Sequence, residues 1–200
     1  MSAAQLASVL AVNNYPTRER FDRLEKCLRD NGAQVTSVDW DRASPQLFNS
    51  YDGVVLSGSP DMMSEDRVAA KFRSEIDSIL DSKVPVLGVC FGHQMMARAF
   101  GAEVVKDGRP VLEMVQTRVL AEDSLFEGLP RSLMLLESRH EVVKSLPAGF
   151  RLLARSTTSQ IATMKHESRP LYGVQSHPER YTKDNPDGNA VVCNFVRILG

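Results

Sequence analysis

The segment Gly88-Val89-Cys90-Phe91-Gly92 carries the first residue types whose spacing can do chemistry. A Gly-x-Cys-x-Gly run is the nucleophile-elbow pattern with cysteine in place of serine. A sharp strand-to-helix turn holds such a nucleophile in a strained backbone, and the flanking glycines let neighbouring chains approach closely. The helix that follows aims free N–H groups at the site, which favours a thiolate and a developing oxyanion. Read alone, the stretch also fits a buried core cysteine between two packing glycines.

A cysteine nucleophile needs a base, and the base needs an orienting group. The chain has four histidines, His93, His140, His166 and His177. His93 follows Cys90 by three residues on the same helix and points away from the working side of the thiol. His166, followed by Glu167-Ser168, reads as a solvated hairpin tip. His177 closes an apolar strand and is followed by Pro178 and Glu179. Proline fixes the local backbone, so a carboxylate two residues on can curl back to the imidazole. Taken alone, His-Pro-Glu equally fits a turn.

The elements that must position these residues follow from apolar periodicity. Strands are predicted over 7–12, 34–39, 51–56 and 84–89. Helices are predicted over 18–31, 64–82, 94–100 and 189–199. Thr17 caps the first helix, Phe21, Leu24 and Leu28 form its apolar face, and Gly32 stops it. Val68, Phe72, Ile76, Ile79 and Leu80 share one face of the second. Alternating strands and helices imply a parallel sheet covered on both faces, with sites beyond the carboxyl ends of the strands. Ser57-Gly58-Ser59 and Cys90 both fall at such ends. Short strands over 111–120, 132–137, 151–155, 160–165 and 171–175 predict antiparallel pairing at the far edge of the sheet.

Composition narrows the class. Two hundred residues make one domain, read as 1–200. The net charge of −1 gives no electrostatic footprint for nucleic acid or an anionic membrane. No run of about 18 apolar residues spans a bilayer, and the first ten residues lack the pattern of a signal peptide. Cys27, Cys90 and Cys193 are too few and too widely spaced for a disulfide framework or a zinc site, which fits a reducing cytoplasm. Cys27, on the first helix beside its polar face, is expected to be chemically inert.

Three blocks, Leu56-Ser57-Gly58-Ser59-Pro60, Gly88-Val89-Cys90-Phe91-Gly92-His93-Gln94 and Tyr172-Gly173-Val174-Gln175-Ser176-His177-Pro178-Glu179, together resemble the class I (triad) glutamine amidotransferases over nearly the whole chain. The resemblance implies an α/β fold: a flavodoxin-like, mostly parallel sheet with helices on both faces and an antiparallel C-terminal extension. It implies a glutaminase acting on L-glutamine with a triad of Cys90, His177 and Glu179. The oxyanion donors map to the backbone N–H groups of Gly58 and Phe91. Gln94 falls at the family's glutamine-contacting position, with Ser59, Arg139 and His140 as further substrate-side positions. No metal or organic cofactor is implied. Ammonia would pass to a synthetase subunit in trans, of the ATP-pyrophosphatase type.

The stretch from Glu137 to Ala154 is most similar to the glutaminase part of GMP synthase. That family has Ser-His-Gly-Asp where this chain has Ser138-Arg139-His140-Glu141. Ser59 stands where a second glycine is usual, and Ser176 where phenylalanine is usual. These departures keep three alternatives open: a stand-alone γ-glutamyl hydrolase, a glutaminase for another acceptor such as the anthranilate or aminodeoxychorismate synthases, and a silent regulatory subunit.

Overall fold

A computed structural model of the chain describes residues 6–200. Among the described residues nine strands form one sheet in the order β2-β1-β3-β4-β9-β8-β7-β5-β6. Strands β1 (Ser8–Asn13), β2 (Gln34–Asp39), β3 (Gly53–Leu56), β4 (Val86–Val89) and β9 (Leu171–Val174) run parallel. Strands β8 (Thr163–His166), β7 (Phe150–Ser156), β5 (Val104–Val119) and β6 (Ser132–Val143) continue the sheet antiparallel. The parallel order 2-1-3-4-9 is the flavodoxin-like arrangement, and the antiparallel strands form the extension at its edge.

Each central strand is buried on both sides, as parallel strands covered by helices must be. On β1, Val9 and Ala11 join the core under α1 (Arg18–Asp30) and α6 (Asp187–Ile198). Leu10 and Val12 join the opposite core, under α2 (Pro45–Phe48), α4 (Arg73–Asp81) and α5 (Phe91–Ala99). Phe21, Leu24 and Leu28 are buried as the first helix's periodicity requires. Thr17 occupies the N-cap position, but its hydroxyl makes no capping bond. Gly32 ends that helix at φ 88°, in the left-handed region that glycine tolerates.

Several elements differ from the sequence expectation. The helix expected over 64–82 is two helices, α3 (Asp66–Lys71) and α4. The break is at Phe72, whose φ −94° and ψ 20° leave the helical region. Val68, Phe72, Ile76 and Ile79 still share the buried face, whereas Leu80 is exposed. Cys27 is buried in the α1 core rather than beside the polar face, and burial pushes its thiol up to about 12. His166 is no solvated tip: its ring packs 5.0 Å from the ring of Phe150 and 5.3 Å from that of Phe100.

The largest difference lies in β6. Apolar alternation ends at Leu135, yet the strand runs on to Val143, with Glu137, Arg139 and Glu141 all facing inward. The charges are accommodated because they pair. Arg139 Nε donates to Glu137 Oε2 at 2.8 Å and Nη1 to Asp107 at 2.8 Å, and its remaining nitrogen donates to the Thr158 carbonyl. Glu137 also accepts from Ser156 Oγ and Thr158 Oγ1. Both side chains of the central pair are fully buried. Removing one partner of such a pair leaves an uncompensated charge, worth about 3–5 kcal/mol. Arg139→Met is therefore expected to destabilise the fold by that amount in denaturant titration. The double variant Glu137→Gln/Arg139→Met should recover most of the loss.

Candidate active site

Four loops meet at the carboxyl edge of the parallel strands. Strand β4 lies between β3 and β9, so the residue after β4 is flanked by the loops after both neighbours. That residue is Cys90. It is the one non-glycine residue with positive φ among the described residues, at φ 51° and ψ −98°. Its N–H donates to the Val174 carbonyl at 2.8 Å, which ties the strained turn to β9. A Cβ built on Gly88 would lie 2.5 Å from the carbonyl of Gly92, and one on Gly92 2.8 Å from Leu56. Both glycines of the motif are thus demanded by close approach. Helix α5 opens at Phe91, so its first-turn N–H groups sit beside the thiol. The sulfur lies 3.6 Å from the Ser138 carbonyl and 3.8 Å from Gln175 Nε2.

On the β9 side, His177 is buried and its backbone N–H donates to the Leu136 carbonyl at 2.7 Å. Glu179 stands on the 3-10 turn Pro178–Arg180, and its Oε1 lies 2.8 Å from His177 Nδ1. That contact occupies Nδ1 and leaves Nε2 for the thiol. Burial disfavours the charged ring, but the Glu179 carboxylate and the Cys90 sulfur outweigh it. The His177 pKa rises from 6.5 to about 10. His93, by contrast, is fully buried under Gly173 without a well-formed hydrogen bond. Burial holds its pKa down at about 4, so it is a neutral packing residue.

On the β3 side, Gly58 faces the same centre. A Cβ at Gly58 would strike Tyr15 Oη and come within 2.8 Å of His177 Cε1. Gly58→Ala is therefore expected to displace the imidazole and lower kcat by about 10²-fold or more, with a stability cost of about 1–3 kcal/mol. Steady-state kinetics and thermal melting of the variant check both parts.

Cys90, Ser59, Arg139 and His140 line one cleft of about 310 Å³, with Gln94 and Glu141 at its inner wall. The Gln94 amide is spoken for: Nε2 donates to the Glu141 carbonyl at 2.9 Å and faces Gln175 Oε1 at 3.4 Å. Ser59 Oγ accepts from the Asp61 N–H, and His140 is exposed at the rim. Arg139 contributes wall only, because its guanidinium is turned onto Glu137, Asp107 and Thr158. Two larger surface hollows, beside the turn Ser124–Phe126 and between α3 and β5, contain none of these residues, and a third of about 390 Å³ reaches Glu179 from the side of Cys27 but not the cleft residues.

Two neighbours of the centre were not singled out from the sequence. Tyr15 brings its hydroxyl against Gly58, on the side that His177 also approaches. Burial, then the charges of Glu179 and Cys90, raise its pKa, which keeps it a neutral hydroxyl. The signal available was its place just past β1, at the same sheet edge as Cys90. Gln175 supplies the amide near the sulfur; it looked like one more residue of a buried strand.

Comparison with known proteins identifies the family. The family model for glutamine amidotransferase class-I matches residues 19–198. The glutamine-hydrolyzing GMP synthase subunit of Archaeoglobus fulgidus is 38% identical over 177 residues, covering 88% of this chain and 90% of that one. Its counterpart from Methanosarcina barkeri is 37% identical over 191 residues, covering 95% of each. Among solved structures, a Thermoplasma acidophilum protein assigned to the same GMP synthase component superposes with a TM-score of 0.86 at 30% identity, over 98% of this chain and 96% of that one. A glutamine amidotransferase of Thermotoga maritima, at 21% identity and a TM-score of 0.73 over 88% of this chain and 78% of its own, shares the fold. The chain belongs to the class-I glutamine amidotransferase family.

Proposed function

We propose that this chain, as a single amidotransferase domain over 1–200, is a cytoplasmic glutaminase subunit. It hydrolyses L-glutamine through Cys90, His177 and Glu179 and delivers ammonia to a separate synthetase of the ATP-pyrophosphatase type, as in GMP synthase. The Cys90 thiolate attacks the side-chain amide carbon of glutamine. The N–H groups of Gly58 and Phe91 hold the oxyanion, and removing such a donor typically costs ~10²–10³ in rate. Protonated His177 gives its proton to the leaving nitrogen, and ammonia departs. The γ-glutamyl thioester is then attacked by water that His177 deprotonates, glutamate leaves, and the thiolate is restored. Glu179 fixes the imidazole tautomer and supports its charge. Gln94 and Gln175 shape the inner wall, and Ser59 and His140 face the substrate's outer end. A reducing compartment suits a mechanism that needs a free thiol.

The observation that carries the reading is the strained Cys90 at the head of α5, between the Gly58 loop and a histidine whose Nδ1 is held by a carboxylate at 2.8 Å. The test is ammonia release from L-glutamine, with and without a GMP synthase ATP-pyrophosphatase subunit, its nucleotide substrates and Mg²⁺. Strong stimulation by the partner is expected. Equal turnover without it would favour a γ-glutamyl hydrolase and overturn the partner assignment.

A further inference from the structure

Beneath the loop that carries Gly58 lies a carboxyl group with no counter-charge. Glu75, in the first turn of α4, is fully buried. Its Oε1 accepts from Asn14 Nδ2 at 3.1 Å. Its Oε2 is buried without a partner, and so is Asn14 Oδ1. Asn14 in turn holds the loop. Its Nδ2 faces the Ser57 carbonyl at 3.3 Å and its backbone N–H donates to Ser57 Oγ at 2.8 Å. Ser57 Oγ donates to the Gly58 carbonyl at 2.9 Å.

Two buried acceptors are orphaned on side chains whose other polar atoms already bond each other. One proton carried by Glu75 and shared with Asn14 would satisfy both, and buried polar groups are rarely left unpaired. We propose that Glu75 is a neutral carboxylic acid that closes a cyclic pair with the Asn14 amide, Nδ2–H to Oε1 and Oε2–H to Oδ1, and so positions the Ser57–Gly58 loop for oxyanion binding. Glu75 is a positioning residue: it acts through Asn14 and touches no substrate. The inference rests on the reading of Gly58 as an oxyanion donor.

The surroundings keep the proton on. Burial pushes the Glu75 pKa from 4.5 up to about 8, and the Asn14 hydrogen bond opposes this only in part. Burial and the Asn14 bond account for the shift; the ionisable residues on the elements packed against α4, which are Asp41 and Arg42 on the turn Trp40–Arg42, Asp66, Arg67 and Lys71 on α3, and His93 and Arg98 on α5, do not figure among its causes. Ionisation would set Oε2 against Oδ1, acceptor against acceptor, and loosen the loop. Because the folded pKa is raised, the stabilisation is fully present below 4.5 and is lost as pH rises through about 8.

The test compares pH profiles of glutamine hydrolysis. The wild-type kcat is expected to fall as pH passes about 8, well before His177 deprotonates near 10. Glu75→Ala removes both bonds and lowers kcat at every pH, with KM little changed, because oxyanion contacts form only in the transition state. Glu75→Gln keeps the shape without an ionisable proton. It should restore kcat at neutral pH and move the alkaline limb from about 8 to about 10. An unshifted limb in Glu75→Gln would overturn the proposal. An independent readout is the infrared carbonyl band of a protonated carboxyl group, expected in the wild type at neutral pH, absent in Glu75→Gln, and titrating near 8. A wild type without that band contradicts the proposal even if the chain proves to hydrolyse no glutamine.

Discussion

Cys90→Ala is expected to stop glutamine hydrolysis, by about 10⁴-fold or more, and to leave the fold standing. In the proposed mechanism the thiolate is the atom that forms the thioester, so no neighbouring group replaces it. Cys27 is buried under α1 with its thiol pushed up to about 12, and Cys193 lies on α6 away from the cleft. The fold survives because alanine keeps a Cβ in the same turn and removes only a small side chain. A companion variant separates strain from chemistry. Backbone strain of this kind costs on the order of 1–3 kcal/mol, and glycine relieves it at some cost in unfolded-state entropy. Cys90→Gly should therefore be as inactive as Cys90→Ala yet melt at a higher temperature than Cys90→Ala. Ammonia assays and thermal melts of the pair decide the point. Substantial turnover by either variant would remove Cys90 from the centre of the mechanism.

Glu179→Gln is expected to lower kcat by about 10²–10⁴-fold and to move its pH dependence. The carboxylate accepts from His177 Nδ1 in a buried contact. An amide there can present its N–H to the ring and favour the wrong tautomer. The electrostatic consequence has a definite sign. Burial alone would lower the His177 pKa, and Glu179 is the leading influence that raises it to about 10. Without that charge the imidazolium is lost at lower pH, so the alkaline limb of activity shifts downward. Stability follows the same linkage. The raised pKa contributes stability that is complete below the ordinary 6.5 and disappears as pH rises through about 10. Wild type and Glu179→Gln should thus differ most in melting temperature at acidic to neutral pH and converge above pH 10. A variant with wild-type kcat and an unmoved profile would mean that Glu179 does not orient the base.

The parts of the site that were legible in the sequence are those fixed by local geometry. A strand ending in Gly-x-Cys-x-Gly before a helix has few conformations open to it, and Gly88 and Gly92 are needed by contacts within and beside that turn. His177 and Glu179 are two residues apart across a proline, so their contact is also local. Parallel alternation then carried both to the same sheet edge, in keeping with the strand order. What sequence could not supply depended on partners distant in the chain. Arg139 reads as a substrate contact until Asp107, 32 residues earlier, and Glu137 claim its guanidinium. Period-2 spacing of Glu137, Arg139 and Glu141 was the available clue, obscured because charged residues on an inward face contradict ordinary patterning. Tyr15 and Glu75 are silent for the same reason. One meets the Gly58 loop, and the other meets Asn14 across 61 residues. The break at Phe72 leaves no mark in the pattern, since Val68, Phe72 and Ile76 keep helical spacing on both sides of it.

The central claim is that glutamine is opened by a covalent step on Cys90. Its most direct measurement is mass spectrometry of the chain acid-quenched during glutamine turnover, followed by peptide mapping. A γ-glutamyl adduct is predicted on the peptide containing Cys90, with Cys27 and Cys193 unmodified, and none is predicted in Cys90→Ala. An adduct at Cys27 or Cys193, or a chain that turns over glutamine while Cys90 can be replaced without loss of the adduct, would contradict the account.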